Sequence, residues 1–488
     1  MSKRNGNVSR REFLQRIGAS IAGMIPAFAG TGLPLRKQGL AGAQPAWAEA
    51  QPPRKWNVLF LAVDDLSSRL GCYGHPIVQS PHIDRVAARG VRFDQAYCQY
   101  PLCNPSRTSL LTGRYPTTTQ VMDNLRYFRD TFPDWVTLPQ HFRASGYVTA
   151  RTGKIFHGGI DDEKSWVEGS EPRVPRKQRT PAQQEQYRTT SDRWLAVEGE
   201  GQDQPDYRTA SRAIELLEKY KDQPFFIAVG FVKPHSPLVA PKKFFDLYDP
   251  AKIPLPGDFT SKPTVGPGVP EEALASNGDL FIARDATPEE ARRMIAAYFA
   301  CVSFMDAQVG RVLGALERLN LHNNTVIVLF GDHGYHLGEK GKWSKHGSLY
   351  EVTARVPLLV AAPGVKGNGQ ASAGTVELLD IYPTLAELCG LPIPQGLEGQ
   401  SFVLLLNSPQ AQWNDHAYTV ATRGKIFGRS VRTEQYRYTE WDQQGKKAEL
   451  YNHQTDSHEM HNLAGEPGYA TVVEKLRQLL RAGLPAAL

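Results

Sequence analysis

The chain has little cysteine: five residues in 488, Cys72, Cys98, Cys103, Cys301 and Cys389, at irregular spacings. So few and so uneven a set argues against a disulfide scaffold, and their odd number leaves one thiol over whatever pairs. No cysteine and histidine set at zinc spacing is present. Long apolar runs are also missing, because the mildly apolar stretch near the N-terminus is short and broken by Pro26 and several glycines. That excludes a membrane span there, and no stable membrane anchor is expected. Beyond residue 48 there is no excess of either charge: the first 48 residues hold seven basic side chains and one acidic, which accounts for the whole formal charge of +6. The basic balance is therefore no argument for a nucleic-acid or membrane partner, and attraction for anions must be local. Internal repeats are absent, as is low-complexity sequence outside a Pro/Gly/Ala-rich linker from about Gly30 to Pro53.

What is present begins with "SRREFLQRIGASIAGMIPAFAG", which pairs Arg10 with Arg11, follows them with Phe13 and Leu14, and leads to "AWA" at 46–48. This predicts a twin-arginine export signal over residues 1–48, use of the twin-arginine export machinery, and a periplasmic or secreted location.

Four short apolar runs then read as buried strands of a parallel sheet, each followed at once by polar residues able to do chemistry. "WNVLFLAV" (56–63) ends in Asp64 and Asp65; "YVTART" (147–152) leads to Gly153, Lys154 and His157; "PFFIAVGFV" (224–232) leads to Lys233 and His235; "TVIVLF" (325–330) ends in Asp332 and His333. Ligand sites of open α/β sheets lie beyond the carboxyl ends of the strands, so these clusters are expected to converge on one crevice. Helical spacing over 80–90, 206–220 and 288–319 alternates with the strands and predicts helices on both faces of the sheet. Stretches 158–205 and 250–287 are polar and Pro-rich and read as insertions over the site. The expected organisation is a catalytic domain over 54–408 and a smaller C-terminal subdomain over 409–488, with an antiparallel sheet and a closing helix near 468–482.

Asp64, Asp65 and Asp332 at two strand ends would repel one another without a cation. Their oxygens suit a hard divalent ion, calcium before zinc, although His333 as a further ligand is unusual for calcium. "PLCNPSRTSLLTGR" (101–114) predicts a short helix capped by Asn104, with Pro105 first and Gly113 as its stop. Cys103 then faces the positive end of that helix, a place that favours thiolates and anions, with Arg107 one turn on.

"CNPSRTSLLTGRYP" resembles the signature of the type I sulfatases. "VDDL", "GKIFH", "KPHSP", "GDHGYHLGEKGKWSKH" and "ELYNHQTDSHEMHNLA" extend the resemblance over most of the chain, toward the iduronate-2-sulfatase branch. The resemblance implies an alkaline-phosphatase-like α/β fold and a sulfuric ester hydrolase. It implies too that a formylglycine-generating maturation enzyme oxidises Cys103 to formylglycine, whose hydrated aldehyde supplies the nucleophilic oxygen and ligates one Ca2+. Residue by residue, Asp64, Asp65, Asp332, His333 and the side chain made from Cys103 would hold calcium. Arg107, assisted by Lys154 and His157, would steady the hydrate, while His235 and Lys345 would contact the sulfate, one of them protonating the departing oxygen. The implied substrate is a sulfated acidic carbohydrate, a glycosaminoglycan or similar polysaccharide fragment. Such chemistry accords with the residues, since sulfate-ester cleavage builds negative charge on the leaving oxygen, which fixed cations and a general acid relieve. His336 and His346 read as surface or supporting residues, and Lys345 could equally be one more solvated charge beside Lys340 and Lys342. Two alternatives stand beside this reading: a choline sulfatase or phosphonate/phosphodiester hydrolase on the same fold, and an inactive relative that only binds sulfated glycans.

Overall fold

The computed structural model describes residues 55–174, 180–413 and 416–484, which belong to one compact unit; the export signal predicted over 1–48 lies outside them. Seven strands form the main sheet: β1 (Asn57–Val63), β2 (Val91–Tyr97), β3 (Val148–Gly153), β5 (Phe225–Phe231), β7 (Thr325–Gly331), β8 (Arg355–Ala361) and β9 (Ala371–Glu377). Their order is β3-β5-β1-β7-β8-β2-β9, and only β8 runs against the rest. The four apolar runs read from the sequence are thus four adjacent parallel strands with β1 at the centre. Their ends are flush, Val63 facing both Phe231 and Gly331, and Gly153 facing Gly230.

Every residue of β1 is buried, because both faces of the sheet are covered. Val58, Phe60 and Ala62 point into a core shared with Leu110, Leu111, Phe142 and Tyr382. Leu59, Leu61 and Val63 point to the other side, against Ala213 and Leu217 of the Pro205–Tyr220 helix and Phe304 and Met305 of the Pro288–Arg318 helix. The latter helix is opened by a capping box between Thr287 and Glu290. A helix at Pro81–Arg89, within the 80–90 stretch of helical spacing, begins after Ser80 and stops at Gly90.

The helix that carries Cys103 differs from its predicted start. It spans Cys103–Thr112 and follows Leu102, so Cys103 itself is its first residue. Asn104 does not cap it, because that side chain is used elsewhere, donating to the Asp123 and Arg126 carbonyls at 2.8 Å each. Pro105 is tolerated within the first turn, where amides have no helical partner. Gly113 does end the helix, at φ +64°. All ten residues are buried, and Leu110 and Leu111 pin the helix in the core, a contribution of about 1.5–3 kcal/mol each.

The insertion at 158–205 holds more structure than its sequence suggests: a helix at Pro181–Thr189 and a strand, β4 (Trp194–Val197), paired in parallel with β6 (Leu238–Pro241). Past residue 413, β10 (His416–Arg423), β11 (Ile426–Thr433), β12 (Tyr436–Glu440) and β13 (Ala448–Asn452) make the four-stranded antiparallel sheet that the sequence suggests, followed by the Ala470–Gly483 helix. This sheet buries Tyr418, Val431 and Leu450 against Tyr100 and Leu102, so it braces the two residues that lead into Cys103.

Candidate active site

β1 and β7 deliver the acids. Asp332 stands 267 residues from Asp65, yet their strands are neighbours, and Asp65 N donates to Asp332 Oδ1 at 3.2 Å. Asp65 sits at φ +61°, a left-handed turn that aspartate tolerates better than most residues and that takes the chain sharply out of β1. His333 Nδ1 lies 3.1 Å from the Gly334 carbonyl, which can only accept, so Nδ1 carries the proton and Nε2 presents its lone pair. That lone pair faces Cys103 Sγ at 3.4 Å, and the same sulfur lies 3.3 Å from Asp64 Oδ1. Ligating atoms of Asp64, Cys103, Asp332 and His333 all fall within 4.8 Å of one another; those of Asp65, Cys103 and His235 do likewise.

Cations surround the acids. Arg107 Nε donates to Asp332 Oδ2 at 2.8 Å, its Nη2 lies 3.6 Å from Asp64 Oδ1, and Nη1 donates to the carbonyls of Lys154 and Ile155. Lys154, at the end of β3, pairs with Asp64 Oδ2. β3 comes this close to β5 because Gly153 and Gly230 face each other without side chains: a Cβ on Gly230 would lie 2.0 Å from the Lys154 carbonyl oxygen. Lys345 Nζ lies 3.0 Å from Asp65 and 3.3 Å from Asp279 Oδ2. Beyond β5, Asp206 accepts from the amides of Val232 and Lys233 at 2.8 Å each, which fixes the loop to His235. His235 Nδ1 lies 2.6 Å from the Ser236 carbonyl, so it too carries its proton on Nδ1 and keeps Nε2 for exchange.

The charges settle one another. Burial works to raise the Asp64 carboxyl, but Lys154, His235, Arg107 and Lys345 together hold it well below the usual carboxylate range. Asp65 is likewise lowered against the effect of burial, chiefly by Lys345 and His235. Lys345 is held protonated: burial disfavours its charge, and Asp279 and Asp65 outweigh that. Cys103 goes the other way from the thiolate that its helix end predicts. Burial pushes the thiol up and Asp64 adds to the rise, so it stays a thiol.

These donors fit a hard divalent cation. Carboxylate oxygens of Asp64 and Asp332 and the His333 imidazole gather round Cys103, Asp65 and His235 gather round the same residue, and Asp65 Oδ1 is a buried carboxylate oxygen that makes no hydrogen bond although the Lys345 ammonium lies 3.0 Å from it.

The structure brings Asp64, Asp65, Cys103, Arg107, Lys154, His235, Asp332, His333 and Lys345 together. His157 stands half-buried in the turn after Lys154, its carbonyl accepting from the Ile160 amide. His336 is not a surface residue; it is fully buried, with Nε2 2.8 Å from Ser348 Oγ. The lysines of the 340–345 loop are not solvated either. Lys340 pairs with Asp258, and Lys342, wholly buried, donates to the Ala275 carbonyl, because the 250–287 insertion folds over them. Two site residues escaped the sequence reading. Ser106, whose Oγ donates to the Asp332 carbonyl, could have been found from its place beside Arg107 in the signature; Asp279 lies in a polar stretch with no pattern to mark it.

Comparison with known proteins agrees with this arrangement. The family model described as "Sulfatase" matches residues 56–391, and a second, "N-sulphoglucosamine sulphohydrolase, C-terminal", matches 338–483. The chain belongs to the sulfatase family, and its activity class is that of a sulfuric ester hydrolase. It is 35% identical to a sulfatase of Formosa agariphila, covering 87% of this chain and 86% of the relative. To the iduronate 2-sulfatase of Homo sapiens it is 34% identical, over 79% of this chain and 84% of the other. A protein solved in complex with its substrate D-glucosamine-2-N,6-O-disulfate superposes with a TM-score of 0.69 at 22% identity, over 88% of this chain and 97% of that one, and shares the alkaline-phosphatase-like fold.

Proposed function

We propose that this protein hydrolyses sulfate monoesters of an acidic, uronate-bearing carbohydrate, after oxidation of Cys103 to formylglycine and with one Ca2+ bound by Asp64, Asp65, Asp332 and His333. The observation that carries the reading is Cys103 Sγ lying 3.3 Å from Asp64 Oδ1 and 3.4 Å from His333 Nε2, ringed by Arg107, Lys154, His235 and Lys345. The 34% identity to an iduronate 2-sulfatase supports the uronate, and the likeness to a protein solved with a glucosamine disulfate accords with a sulfated sugar. When bound, the cation supplies positive charge at the sulfate oxygens, and oxidised Cys103 supplies the hydrate oxygen that attacks sulfur.

The protein's own residues do the rest. Arg107 and Lys154 hold the side chain of residue 103 against Asp64 and offset negative charge as it builds. His157, in the turn after Lys154, assists them. Lys345 keeps its proton between two carboxylates and binds a sulfate oxygen as a fixed cation. His235 keeps its Nδ1 proton on the Ser236 carbonyl, so the proton for the departing sugar oxygen is the one carried on Nε2 when the ring is the imidazolium. Asp64, Asp65, Asp279 and Asp332 outnumber Arg107, Lys154 and Lys345 by one, so a bound divalent cation would leave one net positive charge to attract an anionic ester.

The test is mass spectrometry of the tryptic peptide 93–107 together with sulfate release from 2-O-sulfated iduronate disaccharides and choline sulfate, and 4-nitrophenol release from the phosphonate monoester 4-nitrophenyl phenylphosphonate. Formylglycine at 103 with preferential release from the disaccharide is expected; an unmodified cysteine in a fully active sample overturns the mechanism, and preference for choline sulfate or the phosphonate overturns the substrate. The paired Arg10 and Arg11 support export of the folded protein, and with Cys103 at 1% exposure its oxidation belongs before folding, in the cytoplasm. Replacing both arginines with lysine should leave active enzyme in the cytoplasm; undiminished export would refute the route.

A further inference from the structure

The 250–287 insertion grips the loop that carries Lys345. Trp343 N donates to Asn277 Oδ1 at 2.8 Å, and Leu280 N donates to the Trp343 carbonyl at 3.2 Å. Lys342 Nζ donates to the carbonyls of Ala275 and Ser276 at 2.9 and 3.3 Å. Phe281 packs its ring 5.0 Å from that of Trp343. The other insertion buttresses the grip from behind: Tyr187 OH donates to the Gly278 carbonyl and Ile282 N to Ser191 Oγ, both at 3.3 Å. Within the gripping stretch 275–282 stands one acid, Asp279, with Oδ2 3.3 Å from Lys345 Nζ.

A lysine on a flexible stem beside a single carboxylate settles wherever that carboxylate draws it. Lys345 has two, Asp65 at 3.0 Å from the end of β1 and Asp279 at 3.3 Å from the 250–287 insertion, and its side chain is only 4% exposed. With both present the ammonium is held by carboxylates from two separate parts of the chain. With Asp65 alone it is free to turn about that carboxylate, which the proposed cation also needs.

We infer that Asp279 is a positioning residue, through which the 250–287 insertion sets the place of Lys345 for sulfate-ester cleavage. The inference rests on the role given to Lys345 above. It makes the insertion part of the catalytic geometry as well as a wall over the site. No motif marks Asp279, and its own carboxylate touches no reacting atom.

The test compares Asp279→Asn, Asp279→Glu and Lys345→Ala in the matured, calcium-loaded full chain, using 4-nitrophenyl sulfate as probe and thermal unfolding as the control for folding. Misplacing a catalytic cation by about an ångström costs up to roughly 100-fold, so Asp279→Asn is expected to lower kcat by about 10- to 100-fold. KM should stay within about threefold, the mark of an interaction realised in the transition state. Asp279 is 18% exposed at the side chain, so the isosteric amide should fold with an unchanged midpoint. Asp279→Glu, which keeps the charge, should recover part of the loss. If Lys345→Ala is inactive while Asp279→Asn matches the parent, the positioning role is overturned and that of Lys345 stands. If Lys345→Ala keeps full activity, the reading of Lys345 at the sulfate fails, and the inference fails with it. A fall in Asp279→Asn activity matched by a fall in its midpoint, unrelieved by Asp279→Glu, also counts against it.

Discussion

Arg107 Nε donates to Asp332 Oδ2 at 2.8 Å, with the arginine and aspartate side chains 2% and 1% exposed. The one guanidinium also faces Asp64 and holds the Lys154 carbonyl, so it joins the ends of β1, β3 and β7 to the helix that carries Cys103. A lysine at 107 keeps the charge and loses the fork. Arg107→Lys should therefore fold yet lose most of its sulfatase activity. Arg107→Ala leaves buried carboxylates uncompensated and should cost about 3–5 kcal/mol of stability in chemical denaturation. Parent-like stability of Arg107→Ala would show that these contacts carry no load.

Calcium should stabilise the protein as well as activate it. A ligand present at 100 times its Kd adds about 2.7 kcal/mol to a native state that alone binds it. EDTA is expected to lower the unfolding temperature and calcium to restore it, while Asp332→Asn should be insensitive to both. Zinc restoring the midpoint where calcium does not would contradict the oxygen-rich assignment.

The Cys103 thiol, pushed up by burial and by Asp64, should be inert in the folded, unmatured protein. Iodoacetamide at neutral pH should leave peptide 93–107 unlabelled at residue 103 until the protein is unfolded. Rapid native labelling would mean a thiolate, and a site more open than the one described.

Where β9 meets the small sheet, two buried acids lack a cation. Burial, and then Asp380, pushes Glu377 up to about 8, and burial pushes Asp380 to about 7. Unfolded, both ionise near pH 4, so between about pH 4 and pH 8 the folded state binds more protons than the unfolded and stability falls as pH rises. In Glu377→Gln the amide can still accept from the Tyr418 N–H and donate to Tyr115 OH, two of the present partners of Glu377. Denaturation curves from pH 5 to 8 should show this variant gaining stability on the parent as pH increases; a constant difference would place the titration elsewhere.

The four strand ends that meet at the site were legible because a parallel strand buried on both faces is continuously apolar, as "NVLFLAV" is, and its polar residues must wait for the end. β2, β8 and β9 were not, since their sequences alternate or carry Gly and Pro, and β8 reverses direction for reasons of connection that no local pattern states. Gly113 marked a helix end through backbone chemistry that acts locally. Asn104 misled because its capping tendency lost to a tertiary partner, the loop at 123–126. Cys103 misled in the same way: helix-end polarity is local, and the burial and neighbouring carboxylate that override it come from distant sequence. Asp279 was illegible for the opposite reason, as its one partner lies in another segment.

The 230 residues between Cys103 and His333 also measure time. A ribosome adding 5–20 residues per second needs roughly 10–50 s to pass from one to the other. Until β7 has emerged, its place beside β1 stays vacant and the pocket around the thiol has no floor. If residue 103 is oxidised as proposed, this is the interval in which a modifying enzyme would find it open on the nascent chain, before β7 closes the door.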